Sequence, residues 1–150
     1  MALEPFDVLC AAAAQAEQAV CVVTSTTCGV PPGRYVLREF YCRELDCDCR
    51  RVLVQFFRSD HGLRPEVLAS INFGWETPRF YRKWSRVPGM WREMAGATLE
   101  PLAEQGPRAR SFLALFRSSA HQPAFVDAFR RHYALVKDLL ARGELRPRWR

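Results

Sequence analysis

The pattern of apolar and polar positions changes character about halfway along the chain. Residues 5–19 are rich in alanine and carry Pro5 near a first turn, which predicts a short helix. Residues 20–27 switch to β-branched composition and read as a strand, followed by the turn Cys28-Gly29-Val30-Pro31-Pro32-Gly33. Residues 35–41 then alternate, with Tyr35, Leu37 and Glu39 on one face and Val36, Arg38 and Phe40 on the other. A polar loop from Cys42 to Cys49 separates this strand from the apolar run 52–57. The turn signal Ser59-Asp60-His61-Gly62 leads to a further strand at 66–73. These segments predict an antiparallel meander of three or four strands.

Beyond residue 76 the period becomes helical. Thr77-Pro78 is an N-cap followed by a proline at the first helical position, opening a helix over 79–85 that Pro88-Gly89 ends. Gly96, Pro101, Gly106 and Pro107 leave 90–108 without a sustained pattern. Residues 108–120 return to helical spacing through Phe112, Leu115 and Phe116. A longer helix runs from Pro123 to about Arg142, with the stripe Phe125, Phe129, Tyr133, Val136, Leu140 and a stop at Gly143. The fold class is therefore α+β: a small antiparallel β-meander bearing a cysteine hairpin loop, followed by a helical half. The 150 residues suit a single domain, 1–75 supplying the first helix and the sheet and 76–150 the helices that pack on it.

Composition adds two constraints. No run of ~18 uncharged apolar residues exists, which excludes a membrane-spanning helix. The net charge of +6 divides unevenly: residues 1–78 hold seven basic and ten acidic side chains, residues 79–150 fifteen and six. A basic second half raises nucleic acid as a partner. Trp75, Phe80, Tyr81, Trp84 and Trp91, interleaved with Arg79, Arg82, Lys83 and Arg86, could stack on single-stranded bases. The i, i+4 spacing of Phe80 and Trp84 points instead to a core-facing stripe.

All six cysteines lie within the first 49 residues. The acidic start and the polar residues Gln15, Glu17 and Gln18 do not fit a signal peptide, so a cytoplasmic, reducing location is expected, where clustered thiols act as metal ligands or redox groups. Cys42, Cys47 and Cys49 form a C-x4-C-x-C loop whose ends the flanking strands hold together, a geometry that suits zinc. Folding 20–27 back on 34–41 puts Cys21 opposite Phe40 or Tyr41, beside that loop, as fourth ligand. Cys28 would lie roughly 20 Å away in that register. It stays open only if the segment pairs otherwise; His132, Asp48, water and a substrate are the remaining alternatives. Flanking Arg50 and Arg51 allow a second account, thiol–disulfide exchange at Cys47 and Cys49. No G-x-S-x-G, P-loop, G-x-G-x-x-G or H-E-x-x-H motif is present. The sequence thus reads as a small zinc-binding module with a protein or nucleic-acid partner, and no motif in it supports an enzyme.

Overall fold

The computed structural model describes residues 2–60 and 65–145. His61 and Gly62 of the expected turn, and the arginine-rich tail from residue 146, lie outside the described residues. The architecture is α+β, with a six-stranded antiparallel sheet larger than the three or four strands expected. In chain order the elements are β1 (Leu3–Pro5), α1 (Phe6–Leu9), α2 (Ala11–Ala16), β2 (Val20–Val23), β3 (Gly33–Cys42), β4 (Arg51–Arg58), β5 (Ala69–Gly74), α3 (Pro78–Trp84), α4 (Trp91–Met94), β6 (Gly96–Leu99), α5 (Ala109–Ser119) and α6 (Pro123–Ala141).

The sheet runs β1-β3-β4-β5-β6, and β2 shares with β1 the same outer edge of β3. β1 pairs with Phe40–Cys42, whereas β2 pairs with Gly33–Val36. The alternation in β3 is realised: Tyr35, Leu37, Glu39 and Tyr41 are all buried beneath the helices. Their face continues through Val52, Val54 and Phe56 of β4 and Ala69, Ile71 and Phe73 of β5, because antiparallel registry keeps facing residues on one side.

Helices α5 and α6 close that face with interleaved rings. Phe112 packs on Phe56 at 5.1 Å between centroids, Phe116 on Phe73 at 5.4 Å, and Phe129 on Phe73 at 6.1 Å. β5 is buried on both faces, since the segment after β6 covers its outer side. There Gln105 exchanges hydrogen bonds with the Ser70 backbone, and the Ser70 hydroxyl donates to the Glu104 carbonyl.

At the outer edge of β3 the structure departs from the sequence expectation in two places. The helix expected over 5–19 is broken at Cys10 (φ −138°, ψ 64°) and preceded by the three-residue β1. Pro5 ends that edge strand, where its missing N–H leaves no gap in the ladder. The β2–β3 pairing also differs: Cys21 faces Tyr35, not Phe40 or Tyr41. The chain between the strands is longer than a tight turn, and residues 27–30 form a small turn of their own closed by Thr27 and Val30. This moves β2 towards the start of β3 and leaves the end of β3 to β1.

Candidate metal centre

Cys42 is the last residue of β3 and Cys49 stands two residues before Arg51, which opens β4, so the hairpin itself brings the two thiols together. Cys47 reaches the same point through a turn in which its N–H donates to the Glu44 carbonyl at 3.2 Å. The three sulfur atoms all lie within 4.8 Å of one another, with Cys42 and Cys49 buried and Cys47 half-buried. Zinc–thiolate bonds of about 2.3 Å in a tetrahedron put sulfurs roughly 3.8 Å apart, a separation that falls inside this limit. No disulfide joins any of the six cysteines.

The thiols share hydrogen bonds, and charge follows from them. Bonds from Cys49, with smaller help from the Glu44 backbone, Lys137 and Cys47, pull the Cys42 thiol down to about 5 despite burial. Cys49 is pushed far up by its bond to Cys42 and by burial, and Cys47 is raised by burial and by Cys42. Hydrogen bonding within the trio therefore favours a single thiolate shared among the three sulfurs when no metal is bound.

The loop is held by side chains from distant elements. Arg50 adopts φ 48°, a left-handed conformation that costs a non-glycine residue about 1–2 kcal/mol. Both of its peptide groups are anchored. Tyr81 of α3 donates its hydroxyl to the Arg50 carbonyl at 2.7 Å, and the Arg50 N–H donates to the Tyr133 hydroxyl of α6 at 3.3 Å. Tyr133 in turn points at the Cys47 carbonyl, 3.3 Å away. The Arg50 guanidinium forks onto Asp48 at 2.9 and 3.0 Å, reaches Glu76 at 3.2 Å, and lies 4.6 Å over the Phe80 ring. Lys137 donates to the Glu44 carbonyl at 2.5 Å, and Arg43 pairs with Glu4 of β1 at 2.8 Å.

The remaining candidates sit elsewhere. Cys21, opposite Tyr35, is seven residues along β3 from Cys42, roughly 23 Å in an extended strand, so the shifted register removes it from the sulfur group. Cys28 is exposed in the 27–30 turn with φ 53°. The carboxylate of Asp48 is taken by Arg50. His132 is buried but turned to other partners: Nδ1 lies 2.7 Å from Glu39 Oε2, and Nε2 2.6 Å from Glu17 Oε2. Among the described residues three cysteines meet, and a fourth protein ligand does not join them.

Sequence reasoning identifies the trio but not its supports. Tyr133 is visible there only as a member of an apolar stripe, and Tyr81 only as one aromatic among several. The hydroxyls that make them anchors carry no periodic signal. No protein-family model, curated protein or solved structure matches this chain. Among the described residues, no helix is long and apolar enough to cross a membrane.

Proposed function

We propose that the protein is a zinc-binding module in which Cys42, Cys47 and Cys49 hold one ion as thiolates and the metal fixes the β3–β4 loop against α3 and α6. The observation that carries this reading is the convergence of three sulfurs within 4.8 Å in a loop already anchored by Tyr81 and Tyr133. The fourth position goes to water or to a group supplied by a partner, on the side of the half-buried Cys47. Thiols that remain free suit a reducing, cytoplasmic setting. The role is structural: metal binding adds directly to folding free energy.

Metal analysis of protein purified without added zinc should give about one equivalent, lost on Cys42→Ser or Cys49→Ser; less than about 0.2 equivalents would refute the reading. A metal-free protein that reversibly forms a disulfide within the trio would instead identify a redox thiol site. A separate observation favours an anionic polymer as partner. Arg79, Arg82, Lys83 and Arg86 recur at helical spacing along one exposed face of α3 and its end, without an acidic residue between 77 and 92. Nucleic-acid retention that weakens steeply with salt tests it, and retention indifferent to salt dismisses it.

A further inference from the structure

The shared edge of β3 leaves a gap. β1 covers Phe40–Cys42 and β2 covers Gly33–Val36, so residues 37–39 have no strand beside them on this edge; the Leu37 N–H donates to the Ala19 carbonyl at 3.0 Å. Into this gap opens a cavity of about 300 Å³, walled by Phe6, Ala14, Ala19, Val36, Leu37 and Phe57. That volume is at the lower end for small-molecule sites and accommodates roughly ten water-sized groups.

The carboxylate oxygens of the residues lining the cavity are paired, with one exception among the described residues. Asp7 is held by both ends of the Arg38 fork, at 3.0 and 3.2 Å. Glu17 is held by Arg131 at 2.9 Å and by His132. Glu39, 7% exposed, accepts from the Tyr41 hydroxyl at 2.6 Å and meets His132 at 2.7 Å, both through Oε2. Its other oxygen, Oε1, has no hydrogen-bond partner among the described residues. The one fully enclosed side-chain nitrogen or oxygen left unpaired among them is Arg51 Nε, so Oε1 faces open space, and Glu39 lines the cavity. His132 is itself fixed by stacking on Phe6 at 4.3 Å, so the carboxylate cannot swing away without breaking two hydrogen bonds to well-held partners.

A buried carboxylate with one oxygen locked and the other bare, set in apolar walls, is the inner half of a charge-assisted hydrogen bond. We infer that this cavity binds a small primary amine, its ammonium donating to Glu39 Oε1 and its alkyl or aryl body lying against Phe6, Leu37 and Phe57. The site is distinct from the cysteine loop and does not depend on metal.

The test uses 2-phenylethylamine as probe, with 2-phenylethanol and 3-phenylpropanoate as matched controls, by calorimetric titration of the whole protein at pH 7.5. The amine should bind with Kd below about 1 mM, and the alcohol and the acid at least tenfold more weakly. Glu39→Gln, which keeps an acceptor for Tyr41, should weaken the amine about tenfold or more. Ala14→Phe fills the cavity with Glu39 untouched and should abolish binding, so it decides the matter if Glu39→Gln does not fold. Equal binding of the alcohol, full affinity retained in Ala14→Phe, or no binding of the amine at 10 mM would each overturn the assignment.

Discussion

Tyr81→Phe separates the role of the loop anchors from that of the fold. The Tyr81 ring is fully buried, and phenylalanine keeps its packing while deleting one hydroxyl. What is lost is the 2.7 Å bond to the Arg50 carbonyl. A neutral hydrogen bond is worth about 0.5–1.5 kcal/mol net, and a carbonyl left partly buried adds to the loss. Without that anchor, Arg50 regains the 1–2 kcal/mol or so held in its left-handed φ by turning to a right-handed one. Because Cys49 is the preceding residue, such a turn carries its thiol out of the trio. Zinc must then restore the strained form, at a cost of about 1–2 kcal/mol, or roughly 5- to 30-fold in Kd. Competition against a chromophoric chelator at pH 7.5 measures this, with urea unfolding of the metal-free variant run in parallel. A zinc Kd within twofold of the wild type, with metal-free stability lowered, would show that Tyr81 supports the fold and does not position the loop.

Three further outcomes rest on the same geometry. Since the metal-free trio carries one thiolate and the metal-bound site three, zinc uptake near neutral pH should release about two protons, and affinity should fall as pH drops; titrations in buffers of different ionisation enthalpy count them, and zero release would contradict the shared-charge account. Burial opposes charge on His132, but its bonds to Glu39 and Glu17 outweigh it and raise the imidazole above its ordinary 6.5. The stabilisation from this group is therefore complete below about pH 6.5 and lost as pH rises through the raised folded value, with a slope of at most about 1.4 kcal/mol per pH unit. Cys42, depressed in both proteins, adds stability over the same range, so the readout is the difference: by urea unfolding from pH 6 to 9, the advantage of the wild type over a His132→Phe/Glu39→Gln variant should shrink as pH rises. Gly74→Ala should destabilise by about 3 kcal/mol, because a Cβ there runs into the Met94 carbonyl and comes within 2.6 Å of the Tyr81 hydroxyl; a loss under about 0.5 kcal/mol would refute that packing.

The elements that can be read from sequence are those with enough residues to display a period. The ten residues of β3 and the nineteen of α6 do so, and Thr77 and Pro78 form the cap expected of them, the Thr77 hydroxyl accepting from the Phe80 N–H at 3.2 Å. β1 and β6, at three and four residues, are too short to show alternation, and tertiary pairing alone makes them strands. The cysteine trio is legible because a hairpin loop is closed by its own strands, so its geometry is local. Cys21 is misplaced by sequence alone because its position depends on the β2–β3 register, and a connection longer than a two-residue turn leaves register unspecified. His132 shows in the sequence as a polar residue on an apolar face with a ligand to find. Its partners Glu39 and Glu17 lie 93 and 115 residues away, and no local pattern links them.

Adjacent residues of α6 serve two separate sites. A helix turns about 100° per residue, so His132 and Tyr133 leave it in different directions. His132 reaches Glu39 and Glu17, which line the cavity at the open edge of β3, and Tyr133 reaches the cysteine loop at its end. Tyr41 lies between them, its hydroxyl on Glu39 and its ring 6.5 Å from His132 and 6.4 Å from Tyr133. The next residue of β3 is Cys42. Any shift of α6 over the sheet therefore disturbs the Glu39 carboxylate and the anchor of Arg50 together. The two sites use different chemistry, but both depend on the seating of this one helix, and the Phe116–Phe129–Phe73 packing beneath it sets how firmly both are held.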